Sequence, residues 1–258
     1  MIPNISKSKA MYISTAQNNK IIESHTNSHL LKLKNQTLEY CSAGKLLGIT
    51  VDQNLSWKMQ VEQALKKCNT QLYLLLRIKH FLNLATRKLF FNAYILPQLD
   101  YCCTIWGNCG DDLLNKVVKL QKRAARVILD KDFDTPTSEL FKELNWMTFP
   151  ERIRYKKAIL MYKLINNTSP EYLSSKFCIA HTTTDHELRS VNKCKLLIPK
   201  PRIEFFRKSL SYSGPAIWNE IPVEIRFSSN LSCFKRAYLK WKYSDKTFFT
   251  EITNVESE

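Results

Sequence analysis

Glycine is scarce in this sequence, and long apolar runs are missing from it. Only 5 of the 258 residues are glycine, which disfavours a turn-rich β-sandwich and favours long helices. No apolar stretch approaches the ~20 residues that a membrane-spanning helix needs. The first residues, MIPNISKSKA, contain no apolar core of the kind that a secretory signal has. We therefore expect an intracellular protein, nuclear or cytoplasmic, with no membrane partner.

Acidic residues are also few relative to basic ones. The chain has 39 Lys and Arg against 23 Asp and Glu, a formal net charge of +16 and a pI near 9.5. Such a surface attracts polyanions, because neutralising phosphates releases their counterions. The basic residues are spread along the whole chain, so composition favours a nucleic-acid partner over a protein that is merely basic. A hydrophobic fraction of 44% is that of an ordinary globular protein.

Sequence signals for a metal or catalytic site are weak. The 8 cysteines are scattered, and we expect reduced thiols. Cys178, His181, His186 and Cys194 are a candidate mixed zinc set, but structural zinc sites usually pair close ligands at both ends, and here only the first two residues form a close pair. Free thiols and loop histidines are the favoured interpretation. We identify no Gly-rich phosphate loop, no small-molecule substrate and no base beside a Ser or Cys nucleophile, so we predict no catalytic or metal-binding residue.

Hydrophobic periodicity predicts an α+β protein that is predominantly helical, in three parts. Residues 1–55 are predicted to form a small N-terminal antiparallel β segment. Residues 56–167 are predicted to form a helical domain, because apolar residues recur there at helical spacing. Residues 168–258 are predicted to be a C-terminal extension of short helices with a frayed tail.

Within the β segment, Met11–Ser14 is a candidate strand and Asn35-Gln36 a candidate hairpin turn. The apolar run Lys45–Val51 is a third candidate strand. Ser56 is placed as the N-cap of the first long helix.

Three local signals organise the helical part. Pro97 is predicted to kink or break a helix near Ala93, since proline lacks the N–H that the helix needs. Thr148 and Glu151 have the spacing of a capping box. Gly110-Asp111-Asp112 is also a polymerase signature, but that signature needs a strand on each side, and we interpret it as a helix start.

The most strongly patterned stretch is LLNKVVKLQKRAARVILD, residues 113–130. One face of this predicted helix is apolar, with Leu113, Val117, Leu120, Ala124, Val127 and Ile128. The opposite side is basic, with Lys116, Lys119, Arg123 and Arg126. A second basic cluster follows at Arg152, Arg154, Lys156 and Lys157. These eight residues are the candidate nucleic-acid-binding residues. A third cluster comprises Lys200, Arg202, Arg207 and Lys208. The alternative is a solvated face, and base stacking by nearby aromatic residues is not established.

Several separate stretches also carry short motifs. They are Asn4–Met11, Lys45–Asp52 with Leu55–Trp57, Ile95–Tyr101 with Ile105–Gly107, Val118–Ile128, Pro201-Arg202, Ser211–Gly214, and Ala216–Asn219 with Pro222. Taken in this order, the motifs resemble the carboxy-terminal part of the reverse transcriptase of non-LTR (LINE-type, jockey-like) retrotransposons. Each motif is weak by itself, whereas the ordered set is strong and covers nearly the whole chain.

The resemblance implies that residues 1–54 match the last strands of a polymerase palm, and that the following helices match a thumb that holds a primer–template duplex. The family's catalytic motif, an aromatic residue followed by Ala-Asp-Asp on a hairpin, matches no part of this sequence. We therefore expect no bound cofactor here, because the aspartates that hold Mg²⁺ in the family are missing. Lys7 and Lys9 match lysines near the family's active site, with a solvated strand edge as the alternative.

These observations are compatible with three functions. The first is a non-catalytic, truncated reverse-transcriptase-like protein that contacts the phosphate backbone of RNA, DNA or a hybrid duplex. The second is one piece of an active RNA-directed DNA polymerase whose palm is encoded upstream. The third is a helical protein-interaction module with no nucleic-acid role.

Overall fold

The computed structural model describes residue 4 and residues 8–24, 31–178 and 194–243. The strands are β1 Lys9–Ala10, β2 Lys32–Leu33, β3 Gln36–Thr37, β4 Glu39–Tyr40, β5 Ala43–Leu46 and β6 Ile49–Asp52. The longer helices are α1 Ala16–Ser24, α2 Lys58–Ile78, α6 Asp111–Leu129, α8 Phe149–Ile165, α11 Leu210–Glu220 and α13 Leu231–Lys242. The shorter ones are α3 Leu84–Phe90, α4 Leu96–Asp100, α5 Cys103–Trp106, α7 Thr137–Glu143, α9 Glu171–Ser174, α10 Glu204–Lys208 and α12 Val223–Arg226. The prediction of a predominantly helical α+β protein is confirmed.

The strands form three separate two-stranded ladders. β2 pairs with β3 and β5 with β6, and both pairs are antiparallel as predicted. β1 and β4 are parallel, so the prediction of a wholly antiparallel segment was wrong. The sequence analysis missed α1, which lies between β1 and β4 and is part of the long connection that a parallel pair requires.

Both hairpin turns depart from the predicted strand pattern. Lys34 and Asn35 have φ of 48° and 65°, which places the β2–β3 turn one residue before the predicted Asn35-Gln36. The stretch 45–51 is a hairpin instead of one strand, since Leu47 and Gly48 have φ of 46° and 86°. Met11–Ser14 lies beyond β1 and forms no strand.

The start of α2 is stabilised by a side chain from the sheet. Trp57 adopts a left-handed conformation, with φ of 62°, immediately before the helix. The buried carboxylate of Asp52 accepts hydrogen bonds from the backbone N–H groups of Ser56 and Trp57, each at 2.9 Å. The predicted N-cap, Ser56, is therefore replaced by Trp57, and Asp52 links the end of β6 to α2.

Pro97 produces a local change of helix type. Because proline has no N–H, it cannot bond to the carbonyl of Ala93, four residues earlier. The five residues Phe91–Ile95 form a π-helical turn between α3 and α4, so the helix is distorted near Ala93, but it is not broken there. Phe91, Ile95 and Leu99 are all buried, so the turn keeps three apolar side chains in the core.

The predicted starts of α6 and α8 are both confirmed. α6 begins at Asp111, with Gly110 before it and two aspartates in its first turn, where the helix dipole favours negative charge. At α8, the Thr148 and Glu151 side chains and backbone bond reciprocally, which completes the capping box.

The described core has two main clusters, and α8 contributes to both. Phe149 and Ile153, in the first part of α8, pack in the cluster that contains α2 and α6. Met161 and Leu164, further along α8, pack with residues from α11 and α13. The predicted domain boundary at residue 167 lies at the end of α8 and does not separate these two clusters. The three-part division stays a prediction.

The two faces of α6 predict opposite effects of substitution. Leu120 is 5% exposed in the first core cluster, so Leu120→Ala is expected to cost about 2–5 kcal/mol of unfolding free energy. Lys119→Ala, one residue away on the exposed side, is expected to change it by less than about 0.5 kcal/mol. Urea titrations of both variants measure the difference. Equal destabilisation by the two substitutions would contradict the assignment of the faces.

The β segment is expected to open more readily than the helices. A two-stranded ladder leaves backbone groups unpaired on its outer edges and buries little apolar surface. Backbone amides in residues 31–55 should therefore exchange hydrogen faster than those of α2 and α6. Hydrogen exchange followed by mass spectrometry tests this. Equal protection in the three regions would show that the segment is as stable as the helical core.

Candidate nucleic-acid interface

One face of α6 presents an exposed row of positive charge. Lys116, Lys119 and Arg123 recur at intervals of three and four residues and are all exposed. The row extends over roughly 10 Å, because a helix rises about 1.5 Å per residue. Val117 and Ala124 on the other side are fully buried, which fixes the direction in which the row points. Within the described residues, no carboxylate forms an ion pair with these three side chains.

Arg126 continues the row, but its side chain is less exposed than those of the other three residues. It is half-buried, and its guanidinium carbon lies 4.9 Å from the centre of the exposed Phe133 ring. Its Nε is buried and has no hydrogen-bond partner among the described residues. Phe133 therefore restricts this side chain, and we place Arg126 at the margin of the row.

Two of the α8 candidates bind a carboxylate within the chain. Arg152 donates two hydrogen bonds to Asp100, with Nε to Oδ1 and Nη2 to Oδ2 both at 2.5 Å. The Lys156 Nζ is 3.3 Å from the second oxygen. Burial alone would raise the pKa of Asp100, but Arg152 and then Lys156 outweigh it and hold that pKa below its ordinary value. This network attaches α8 to the end of α4.

The other two α8 candidates also have partners within the chain. Arg154 pairs with Glu220 at the end of α11. Lys157 is only 6% exposed, and its Nζ donates to the Asn108 side-chain oxygen at 2.6 Å and the Ser213 hydroxyl at 3.0 Å. Burial lowers the pKa of Lys157 to about 8. All four α8 side chains thus bind partners within the fold. Their predicted role in nucleic-acid binding stays untested.

The remaining sequence candidates are dispersed. Lys9 pairs with Glu39 at 3.0 Å, and Arg207 lies 3.8 Å from Glu204. Lys200, Arg202 and Lys208 lie at the surface. Lys7, His181 and His186 lie outside the described residues, so the candidate zinc set is not described as a whole. Among the residues that are described, no group of three or more potential ligands is placed to hold a metal ion.

A groove between α2 and α6 was missed by the sequence analysis. This α2–α6 groove has a volume of about 710 Å³ and is lined by Lys66 and Tyr73 from α2 and by Arg123 from α6. Lys79, just beyond α2, pairs with Asp130 at the end of α6, so both helices end on the same side of the molecule. Spacing within α2 could have indicated a polar stripe, but nothing in the sequence indicates that the stripe faces α6.

Comparison with curated proteins gives partial matches to transposon polymerases. The chain is 29% identical over 126 residues to the probable RNA-directed DNA polymerase from transposon BS of Drosophila melanogaster. It is 24% identical over 115 residues to the corresponding enzyme from transposon X-element of the same species. About half of this chain is therefore similar to a part of these polymerases. The matches cover 48% and 43% of the chain, but only 14% and 13% of those proteins.

Other comparisons add no further relative. No protein-family profile matches the chain, and no solved structure matches it.

In the described part of the chain, no helix combines the length and the apolar content that crossing a bilayer requires.

The buried Lys157 predicts a specific pH dependence of stability. Its pKa is about 8 in the folded chain against an ordinary value of 10.5, so the folded state loses this proton first as pH rises. Below pH 8 the buried charge costs stability. Between about pH 8 and 10.5 the unfolding free energy of the parent should rise relative to Lys157→Met, by at most about 1.4 kcal/mol per pH unit.

Denaturant titrations of the parent and Lys157→Met at several pH values measure this difference. Burial raises the pKa of the Cys68, Cys103 and Cys109 thiols, so these groups act in the opposite direction, and comparing the two proteins reduces their contribution to the difference. A difference that does not change with pH would show that Lys157 keeps an ordinary pKa.

Proposed function

We propose that this chain is a non-catalytic, nucleic-acid-contacting part of a LINE-type reverse-transcriptase-like protein. The observation that carries the proposal is the row of Lys116, Lys119 and Arg123 on α6, exposed and without ion-pair partners in the described residues. The partial matches to RNA-directed DNA polymerases from transposons support it, because nucleic acid is the ligand of such enzymes.

The row suits a phosphate backbone better than it suits base edges. Lysine ammonium groups on long flexible stems act as point charges, and the arginine can bind one phosphate through two N–H groups. Contacts of this kind hold a duplex in position without reading its sequence. We therefore infer binding to RNA, DNA or hybrid duplexes of many sequences, with affinity that falls steeply as salt increases.

We assign no catalytic role to the residues of this chain. Asp111-Asp112 is the only adjacent pair of aspartates in the sequence, and it lies in the first turn of α6 instead of on a hairpin. Two-metal nucleotide transfer needs carboxylates that converge on both ions. In this proposal residues 1–55 correspond to the end of a palm and residues 56–167 to a thumb. An active polymerase would need its metal-binding aspartates from an upstream segment.

The test is the salt dependence of duplex binding. Removing one phosphate-binding side chain should reduce the slope of log K against log salt by about one. Lys119→Ala combined with Arg123→Ala is therefore expected to lower the slope by about two and to weaken binding to all duplex sequences alike. Fluorescence anisotropy with labelled DNA and hybrid duplexes at several salt concentrations gives the slopes.

A matched control removes the same charge from another part of the chain. Arg236 and Lys240 lie on α13, away from the row, so Arg236→Ala with Lys240→Ala lowers the net charge equally. This control should leave the slope nearly unchanged. Equal effects of the two double variants would refute a specific role for α6. If the parent shows no salt-dependent binding, the chain is better explained as a protein-interaction module.

A further inference from the structure

The α2 wall of the α2–α6 groove is mostly apolar in surface, with Leu65 among its residues, and carries a row of polar side-chain groups. Lys66, Asn69, Thr70 and Tyr73 follow one another at helical spacing and all line the groove. From Lys66 to Tyr73 the helix rises roughly 10 Å. Arg123 lines the opposite wall, so the groove has a cation on each side.

Tyr73 is the distinctive residue of this groove. The side chain is 61% exposed, and among the described residues its ring stacks on no other aromatic ring and its hydroxyl makes no hydrogen bond. Single exposed aromatic side chains are ordinary features of protein surfaces. Here, however, the exposed ring lies in a groove that also contains Lys66 and Arg123. An aromatic face between cations is the combination that single-stranded nucleic-acid sites use.

Asn69 and Thr70 add hydrogen-bonding groups to the groove. The Asn69 amide is exposed and can donate to and accept from a base edge or a sugar. The Thr70 hydroxyl donates to the Lys66 carbonyl at 3.1 Å, so its oxygen is left to accept. Glu62 lines the groove one turn before Lys66 and would repel phosphate there. The attractive part of the groove thus extends from Lys66 to Tyr73.

We propose that the α2–α6 groove binds an unpaired segment of nucleic acid, with a base stacked on Tyr73 and phosphates beside Lys66 and Arg123. The inference rests on the proposed function and deepens it by naming an unpaired strand as the ligand of this groove. Bases within a blunt duplex are stacked on one another and offer no free face to Tyr73. The row on α6 can contact either form of nucleic acid, whereas Tyr73 distinguishes them.

The experiment measures binding of the full chain to three fluorescein-labelled probes of equal length. The probes are a single-stranded oligonucleotide, a blunt duplex and an abasic strand that carries phosphates without bases. Tyr73→Leu is expected to weaken binding to the single strand by about 5- to 100-fold, as removal of one base stack predicts. Binding to the duplex and to the abasic strand should stay within about twofold of the parent, because neither offers a free base.

Two further variants serve as controls. Tyr73→Phe keeps the ring and should retain single-strand binding, which separates stacking from a hydroxyl contact. Tyr172→Leu removes a tyrosine that is 69% exposed on α9 and should change none of the three affinities. Thermal melts of all variants establish that each is folded.

The outcomes separate this inference from the function on which it rests. If Tyr73→Leu leaves single-strand binding unchanged, or weakens binding to all three probes equally, the groove is not a stacking site. Duplex binding that still depends on Lys119 and Arg123 would leave the proposed function intact in that case. If the parent binds none of the probes, both the function and the groove site are refuted.

Discussion

The packing of α6 determines where the other features of the helical part lie. α6 contacts α2, α3, α7 and α8, and its side chains at Val117, Ala124 and Ile128 are completely buried. Ala124 and Ala125 on this face are small and fully buried. With that face covered, the charged residues of the same helix can only point outward. The row of cations and the groove beside α2 therefore both depend on one buried helix face.

Local signals in the sequence predicted the helices well, because they depend on residues close together in the chain. The apolar periodicity of α2 and α6, the capping box at Thr148 and the distortion caused by Pro97 are of this kind. The turns were harder, since Leu47-Gly48 lies within a continuous apolar run that also suits a strand. The polar stretch that forms α1 shows no strong amphipathic pattern, and so it was missed.

The basic residues show which part of the site depends on the tertiary fold. Sequence spacing placed Lys116, Lys119 and Arg123 on one helix face, and the structure has them there. For α8 the same reasoning identified a charge cluster but not its partners. Those partners, Asp100, Asn108, Ser213 and Glu220, are 49 to 66 residues away in the chain. The Lys66–Tyr73 stripe was missed for a similar reason, because only the fold places α2 beside α6.

Because of the π-helical turn at Phe91–Ile95, the number of residues in this segment determines which side chains of α4, and of the residues after it, face the core. One residue fewer would remove the π-helical turn and rotate the downstream residues by about 100° relative to Phe91. Either Phe91 or Leu99 would then leave the core. Tyr101, whose hydroxyl donates to the Leu47 carbonyl in the β5–β6 turn, would move away from its acceptor. A deletion within this helical segment would therefore remove the link between Tyr101 and the turn of the hairpin, whereas Asp52 would still hold the end of β6 at α2.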